Sequence, residues 1–184
     1  MLRTNQQFLS YIQKLFDSQD NIILSTLEKE RVLFRQGEKT TKVMIIKSGI
    51  TKCFFLEENG KEFIVEFLGE GEIIGEIEAI KNTNCLCSIE AITELQVFQI
   101  PIPYFKELMN TDIFFNRLLI EAFSERIINT SSRAAYQQLY NSERSLSKLL
   151  DLLTQQNLKI SKNDMAAYLG ISLRSLNRLM KSLR

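Results

Sequence analysis

The sequence predicts an α+β fold, with a group of short antiparallel strands in front of a helical C-terminal part. Six of the seven glycines lie between Gly37 and Gly75, among short runs rich in β-branched and aromatic residues. Runs of this kind, bounded by turn-forming residues at intervals of about 8–12 residues, are typical of a small antiparallel sandwich or barrel. The predicted strands cover residues 31–34, 43–47, 51–56, 62–68, 86–91 and 95–100.

Turn chemistry supports these strand limits. Asn59-Gly60 separates two of the runs, and both residues tolerate the positive φ that a tight hairpin needs. Pro101 and Pro103 follow the last run, and neither can donate a hydrogen bond to a strand ladder. We therefore expect the strands to end near Pro101.

The composition excludes several classes of protein and site. The chain has 184 residues, of which 45% are hydrophobic and 24% charged, the balance of an ordinary globular protein. It has no histidine, which excludes a histidine-dependent triad, a histidine-ligated zinc and a histidine-ligated haem. Three cysteines are too few for a four-thiolate zinc site or an iron–sulfur cluster held by one chain. We expect no enzymatic activity and no bound cofactor or metal.

The cysteine count and the N-terminus favour a cytoplasmic protein. An odd number of cysteines argues against a closed disulfide framework, so we expect reduced thiols. Near the N-terminus, Phe8, Tyr11, Ile12 and Phe16 alternate with polar residues, a pattern that predicts an amphipathic helix and not a signal peptide. No stretch approaches the roughly eighteen apolar residues that span a bilayer, so we expect no membrane contact.

A segment without Gly or Pro predicts a long helix from about Asp112 to Tyr140. Asp112 places a carboxylate in the first turn, where the helix dipole favours negative charge. A helix of roughly thirty residues is about 45 Å long, more than one small β domain can cover. We expect its apolar stripe, with Phe115, Leu118 and Ala122, to meet the same helix of a second copy in a homodimer. Packing of the helix on its own domain is the alternative.

The charged residues are unevenly distributed, although they nearly cancel in total. The chain has 23 Lys and Arg against 22 Asp and Glu, but residues 159–184 hold six basic residues and one acid. This end therefore carries a net charge of +5 and the remainder −4. A basic end on an acidic body suggests nucleic-acid binding.

The basic end also carries the signals of two short helices joined by a tight turn. Ser161 and Asp164 form a capping-box pattern, and Gly170 can end the first helix in a left-handed conformation. Ser172 can cap a second helix over 173–183. Such a helix-turn-helix places its second helix in the major groove of DNA. The small or apolar residues expected to face inward are Met165, Ala166, Leu169, Ile171, Leu176 and Leu179.

Residues 159–181 resemble the DNA-binding helices of the CRP/FNR family of bacterial transcription regulators. Upstream, residues 71–77 (Gly71-Glu72-Ile73-Ile74-Gly75-Glu76-Ile77) resemble the phosphate-binding cassette of that family's cyclic-nucleotide-type β-roll. Residues 75–78 are also similar to the YeiL-like branch of the family. The family adds a β-hairpin wing, whereas this chain stops at Arg184, so we expect an incomplete C-terminal domain. The resemblance implies a sensor β-roll of the double-stranded β-helix or jelly-roll type with an N-terminal helix over 1–110, a dimerisation helix over 111–140 and a winged-helix-type helix-turn-helix over 141–184.

The resemblance also implies which residues contact DNA. Arg178 matches the family's base-reading arginine, whose fork suits the O6 and N7 of guanine. Arg174 stands where many relatives carry Glu, so the preferred half-site should differ from theirs. Contacts to bases are implied for Leu173, Arg174, Asn177 and Arg178, and contacts to phosphates for Ser161, Lys162, Ser172 and Lys181. The implied partners are double-stranded DNA, a second copy of the chain and RNA polymerase. A solvated helix face is the alternative for the two arginines.

The sequence departs from the family at the predicted effector pocket. In nucleotide-binding members an Arg-Ser pair holds the cyclic phosphate, and alignment of the following strand places Cys85 and Leu86 at these positions. The chain has no Arg or Lys between Lys81 and Glu90 that could supply the positive charge needed to bind a phosphate. We therefore expect a degenerate phosphate site, in which Glu76 lacks a cationic counterpart and bonds to nearby backbone amides. A regulator of the same fold that a cyclic nucleotide still gates is the alternative.

The three cysteines of the chain belong to the region of the predicted effector pocket. Cys85 and Cys87 are two residues apart, so they share one face of a strand and can line the pocket with Gly75 and Glu76, while Cys53 lies on an earlier strand. We favour simple burial as small hydrophobes over a redox- or metal-sensing role. A thiol-sensing signalling module that does not bind DNA is a second alternative, and the basic C-terminal end argues against it. The sequence does not name an effector.

Overall fold

The computed structural model describes residues 2–18 and 20–182. Its strands are β1 Leu2–Arg3, β2 Ile23–Leu27, β3 Val32–Phe34, β4 Lys42–Ser48, β5 Thr51–Leu56, β6 Glu62–Leu68, β7 Ile73–Ile74, β8 Ser88–Ala91 and β9 Leu95–Pro101. Its helices are α1 Gln6–Ser18, α2 Glu76–Lys81, α3 Ile102–Thr111, α4 Ile113–Leu139, α5 Ser142–Gln155, α6 Lys162–Leu169 and α7 Leu173–Ser182. Within these residues no helix combines the length and the hydropathy needed to cross a membrane.

Two sheets build the N-terminal part of the chain. One has the strand order β1-β6-β5-β8-β3 and the other β2-β9-β4-β7, and every pairing is antiparallel except that of β1 with β6. Side chains from the two sheets, such as Ile46 and Leu68, are buried in a common core. The predicted α+β class with a jelly-roll-like β domain is therefore confirmed.

The turns follow the predicted positions with two corrections. In the β5–β6 hairpin, Gly60 has a φ of 75°, whereas Asn59 is not among the described residues with positive φ, so only the glycine uses that freedom. Pro101 ends β9 as expected, but Pro103 lies in the first turn of α3, a helix that the sequence analysis did not predict. Proline is tolerated there because the first N–H groups of a helix have no helical acceptor.

The first half of α4 packs on its own domain, which corrects the predicted dimer stripe. The Asp112 side chain caps the helix by accepting a hydrogen bond from the Phe115 N–H at 2.9 Å. Phe115 is 0% exposed, with its ring centroid 5.8 Å from that of Phe8 and 5.6 Å from that of Phe105, and Leu118 is 1% exposed. Both side chains are buried in the core of their own chain, so they cannot form a surface that a second copy of the chain would cover.

A different face of α4 is left uncovered. Ile120 and Ile127 are 64% and 66% exposed, and Ile128 and Leu139 are exposed as well, whereas Ala122 is half-buried. Residues seven apart recur on one side of a helix, so Ile120 and Ile127 belong to a single stripe. Because the helix has two apolar faces, its periodicity alone did not distinguish the inner one from the outer one.

Candidate nucleic-acid interface and sensor cavity

Helices α6 and α7 form the predicted helix-turn-helix. The Ser161 hydroxyl accepts a hydrogen bond from the Asp164 N–H at 3.0 Å, and the Ser172 hydroxyl accepts one from the Ser175 N–H at 3.1 Å, so both predicted caps are present. Gly170 ends α6 with a φ of 68°, the left-handed conformation that a residue without a side chain adopts most readily. The inward-facing residues pack around Leu176 and Ala166, which also contact Leu146 of α5.

The second helix presents the predicted base-contacting residues on an open surface. Leu173, Arg174, Arg178 and Lys181 are exposed and Asn177 is half-buried, and these five residues line one shallow depression. Across residues 2–18 and 20–182, none of the three cations in this set pairs with a carboxylate. Their charges therefore remain available to an external polyanion.

The predicted phosphate-contacting residues lie at the two helix starts and farther along α7. Ser161, Lys162 and Ser172 are exposed at the N-terminal ends of the helices, and Lys181 is exposed near the end of α7. The Ser161 hydroxyl also donates to the Asp164 carboxylate at 2.7 Å. Since that hydroxyl is engaged in the cap, Lys162 is the stronger candidate of the two for a phosphate.

The helix-turn-helix is docked against the β domain by a buried ion-pair cluster. The Lys52 ammonium of β5 lies 3.2 Å from a carboxylate oxygen of each of Glu62, Glu90 and Asp164, and its side chain is only 9% exposed. Asp164 belongs to α6, so this cluster links the sheet to the first helix of the DNA-binding unit. Burial would lower the pKa of Lys52, but the three carboxylates raise it overall.

An arginine of α4 forms a second link between the same parts. Arg133 lies over the Tyr168 ring of α6, with its guanidinium carbon 3.9 Å from the ring centroid, and donates to the carbonyls of Ile64 and Val65 in β6. The β5–β6 pairing skips Val65, since it passes from Cys53–Glu66 to Phe54–Ile64. A bulge of this kind leaves backbone groups without a ladder partner, and Arg133 supplies one.

The structure brings the five predicted pocket residues to one cavity of about 170 Å³ in the β domain. Gly75 starts α2 with a φ of 85°, and a Cβ there would lie 3.0 Å from the Phe34 ring. The remaining four are Glu76, Cys85, Leu86 and Cys87, of which Leu86 lies at the rim with 56% exposure. A small, partly apolar chamber thus occupies the predicted position of the effector.

Glu76 does have a cationic counterpart, which corrects the sequence analysis. Glu76 is 1% exposed, and its carboxylate pairs directly with the Arg126 guanidinium of α4. Arg126 also donates a hydrogen bond to the Ile73 carbonyl at 3.1 Å. The predicted lack of a cation beside Glu76 was therefore wrong, whereas the predicted hydrogen bond to a backbone amide is present and comes from Glu76 itself. Sequence proximity does not reveal this cation, because Arg126 lies 50 residues after Glu76 on another element.

A helical repeat in the sequence could have revealed Arg126. It follows the buried Leu119 by seven residues, and Arg133 follows it by another seven, so all three lie on the face of α4 that meets the sheets. A long charged side chain on an otherwise inward-facing stripe requires a buried partner. The pattern predicts that such a partner exists, but not which carboxylate it is.

The Glu76–Arg126 pair belongs to a larger buried network. Arg3 lies 2.7 Å from Glu72 and 3.2 Å from Glu66, and Arg126 lies 3.9 Å from each of these two carboxylates. Burial raises the pKa of both Glu72 and Glu76, although the arginines oppose it. For Arg126, burial alone would lower the pKa, but the charges of Glu76 and Glu66 raise it overall. Three carboxylates therefore share two guanidiniums.

Two of the three thiols are in direct contact at this cavity. The Sγ atoms of Cys53 and Cys87 are 2.8 Å apart, although they are 34 residues apart in the chain. The hydrogen bond between Cys53 and Cys87, together with burial, raises the pKa of Cys53 well above its ordinary value. Cys85 is buried, and its burial together with the nearby Glu78 raises its pKa to about 11. Cys85 and Cys87 both line this cavity, as predicted, but they precede β8 and do not lie on a strand, and Cys87 also contacts Cys53.

Comparison with known proteins finds a matching domain family and similar regulators. Residues 24–112 match the cyclic nucleotide-binding domain family. An anaerobic regulatory protein of Aggregatibacter actinomycetemcomitans is 25% identical over 181 residues, which cover 91% of this chain and 70% of that protein. The cAMP-activated global transcriptional regulator CRP of Salmonella typhimurium is 25% identical over 162 residues, covering 82% of this chain and 77% of that protein.

Solved structures share the fold at lower sequence identity. The c-di-GMP responsive global regulator CLP of Xanthomonas campestris superposes with a TM-score of 0.82 at 18% identity, covering 95% of this chain and 91% of that one. FixK2 of Bradyrhizobium japonicum superposes with a TM-score of 0.73 at 18% identity, covering 88% and 84%. One of the similar proteins is cAMP-activated and another is c-di-GMP responsive, so the shared fold does not define the effector.

We expect the Arg126→Met variant to lose about 3–5 kcal/mol of unfolding free energy, because it leaves the buried Glu76 carboxylate without its cation. The additional change Glu76→Gln should restore part of this loss, since it removes the uncompensated charge. Burial raises the pKa of Glu76 in the folded state, so the loss in Arg126→Met should shrink as the pH falls and the carboxyl is protonated. Urea denaturation at several pH values measures each of these quantities.

Arg117→Met is the matched control on the same helix. Arg117 pairs with Glu121 one turn away at 3.3 Å, but its side chain is 74% exposed. Removal of an exposed pair of this type costs about 0.3–0.5 kcal/mol. Equal losses in the two variants would show that the Glu76–Arg126 pair is not the buried anchor described above.

Proposed function

We propose that the chain is a sequence-specific DNA-binding regulator of the CRP/FNR type that acts as a homodimer, since an anaerobic regulatory protein and CRP are similar to it over most of its length. The observation that carries this proposal is the exposed face of α7, where Arg174, Arg178 and Lys181 have no carboxylate partner among the described residues. Elsewhere in the described chain, cations such as Arg3, Lys52 and Arg126 are paired internally. The surface that the motif assigns to the major groove thus carries three cations that no carboxylate of the described residues neutralises.

The dimensions of α7 suit this role. Its ten residues make a rod about 15 Å long, and the major groove is about 12 Å wide, enough to admit a helix. The N-terminal residues of the second helix of such a unit face the base edges, which assigns Leu173, Arg174, Asn177 and Arg178 to the bases. Ser161, Lys162, Ser172 and Lys181 flank them and are assigned to phosphates.

The dimer is proposed on the outer face of α4. Ile113, Ile120 and Ile127 are exposed and repeat every seven residues, the spacing of a two-helix seam. Ser124 and Ser131 lie four residues after two of these isoleucines, and such small side chains allow a second helix to approach closely. Parallel pairing of two copies would bury this stripe and place two α7 helices for two half-sites of an operator.

The sensor is proposed to have lost its nucleotide phosphate site. Of the described residues that line the cavity, Arg126 is the sole cation, and it is committed to Glu76. An anionic phosphate would meet carboxylates without a free counter-charge. The cavity of about 170 Å³ is also smaller than the roughly 300–1,000 Å³ of ordinary small-molecule pockets.

The remaining aspects of the function rest on the family. Its named members are regulators and not enzymes, so we expect no catalysis. We further propose that the chain acts in the cytoplasm and contacts RNA polymerase at the promoter. We also propose that the chain is divided into three parts: a sensor over 1–110, a dimerisation helix over 111–140 and a DNA-binding part over 141–184. Leu183 and Arg184, where the predicted second helix ends, lie outside the described residues.

The assignment of the DNA surface predicts two different effects. On an operator selected from genomic fragments, Arg178→Ala should cost roughly 1–3 kcal/mol per half-site and relax sequence preference, because it removes a contact to a base. Lys162→Ala should weaken binding to all DNA alike and reduce the salt slope by about one, because it removes a phosphate contact. Fluorescence anisotropy with operator and scrambled duplexes over a salt series measures both. An Arg178→Ala protein that binds as tightly and as selectively as the parent would refute the assignment.

The dimer proposal predicts that Ile127→Glu yields folded monomers that no longer bind a two-half-site operator, because the charge would be buried in the seam. Sedimentation velocity gives the oligomeric state, and circular dichroism checks the fold. Asn129→Glu is the charge-matched control, since it lies about 200° around the helix from Ile127 at an exposed position. A dimeric Ile127→Glu protein would place the seam elsewhere.

The degenerate phosphate site predicts no response to cyclic nucleotides. Titration calorimetry with cyclic AMP and cyclic GMP should give no binding at micromolar concentrations, because no free guanidinium meets the phosphate. Micromolar affinity for either nucleotide would contradict this part of the proposal and support a nucleotide-gated regulator.

A further inference from the structure

The Cys53–Cys87 contact has the features of a reactive pair and not of two buried hydrophobes. We propose that these two thiols form an oxidisable dithiol, which a hydroperoxide converts to a disulfide inside the folded sensor domain. The Sγ atoms are 2.8 Å apart, and a disulfide bond is about 2.05 Å long, so closure needs a sulfur movement of less than about 1 Å.

The backbone around Cys87 can accommodate this movement. Cys87 lies in the bend before β8, outside the strand ladder, so its displacement breaks no pairing in the sheet. Cys53 is held in the middle of β5, where it is paired with Ile89 of β8 and Glu66 of β6. One sulfur is therefore fixed by the sheet, and the other is carried by a segment that can approach it.

The cavity admits the oxidant. Both sulfurs line the chamber of about 170 Å³, whose rim residue Leu86 is 56% exposed. A water molecule occupies about 30 Å³ in the liquid, so the chamber has room for hydrogen peroxide. Cys87 is the more exposed of the two thiols, and Cys53, whose pKa is raised, keeps its proton. The first reaction is therefore assigned to Cys87.

The chemistry consumes one hydroperoxide for each disulfide. The Cys87 thiolate attacks one oxygen of hydrogen peroxide, so that an S–O bond forms, the O–O bond breaks, and the leaving hydroxide takes a proton to become water. The Cys53 sulfur then attacks the sulfur of the Cys87 sulfenic acid, so that the S–S bond forms and the S–O bond breaks. The Cys53 proton leaves with that hydroxide as a second water.

The position of Cys53 connects the dithiol to the DNA-binding unit. Successive residues of a strand point to opposite faces, so Cys53 faces the cavity while its neighbour Lys52 faces α6 and pairs with Asp164 at 3.2 Å. The bulge at Val65, where Arg133 binds, lies beside Cys53 on the adjacent strand. A disulfide at Cys53 therefore forms on the strand that carries one contact to the helix-turn-helix and beside the bulge that carries the other, and we expect it to alter both. This second step rests on the proposed function.

The first experiment detects the disulfide without reference to DNA. The reduced full chain is treated with one equivalent of hydrogen peroxide, alkylated, digested with trypsin and analysed by mass spectrometry. The expected product joins peptide 53–61 to peptide 82–106 with the loss of two hydrogen atoms. Because the second peptide holds both Cys85 and Cys87, variants identify the partner.

Cys85→Ser is the matched control, since Cys85 lines the same cavity without the sulfur contact of the other two. It should form the cross-link as the parent does, whereas Cys87→Ser should lose it. Cys87 is used in preference to the more buried Cys53, and circular dichroism confirms that each variant is folded. Absence of the cross-link in the parent, or its persistence in Cys87→Ser, would overturn the proposal.

The second experiment measures the affinity of the oxidised and reduced forms for the selected operator. We expect a difference of roughly five-fold or more in the parent and in Cys85→Ser, and none in Cys87→Ser. Equal affinities with the disulfide present would overturn the coupling. If neither form of the parent bound DNA, the proposed function would fail, while the mass-spectrometric result would still decide the dithiol.

Discussion

A carboxylate buried as deeply as Glu76 requires a cation, and this requirement fixes where the longest helix lies. Arg126 supplies the charge from α4, and seven residues later Arg133 binds the open carbonyls of β6. Two arginines on one face thus hold the helix along the β domain over two turns. Removing one partner of such a pair costs far more than the pair contributes as a whole, so the contact specifies position more than it adds stability.

The same fixed helix determines what the rest of the chain can do. With its inner face held by Arg126 and Arg133, α4 presents Ile120 and Ile127 outward, as the exposed stripe on which the dimer is proposed. Its C-terminal part also carries the platform of Arg133 and Tyr168 on which α6 rests. The orientation of the DNA-binding helix is therefore set by contacts inside the sensor, and not by the linker between α4 and α5 alone.

Sequence reasoning succeeded where the deciding interactions are local. β5 and β6 have the predicted bounds because alternation and the Asn59-Gly60 turn define them, and the helix-turn-helix follows from two serine caps and Gly170. The short strands β1, β2 and β7 were not predicted, because a few residues carry too little periodicity.

The dimer stripe was misplaced because Phe115 and Ile120 are equally apolar, and only tertiary packing decides which of them is covered. The partner of Glu76 and the contact of Cys53 with Cys87 depend on residues far apart in the chain.

Charges that line the predicted effector cavity are paired within the chain itself. Cys85 and Leu86 stand where the family resemblance predicts a phosphate-binding pair, and the Glu76 carboxylate beside them is paired with Arg126 of α4. The cavity then no longer needs a ligand to complete its charges, and its walls are free to carry other chemistry. Strand β5 still passes from the cavity to the DNA-binding unit, with Cys53 on one face and Lys52 on the other. Any change that moves this strand reaches α6, whether it comes from a ligand or from a covalent bond between two thiols.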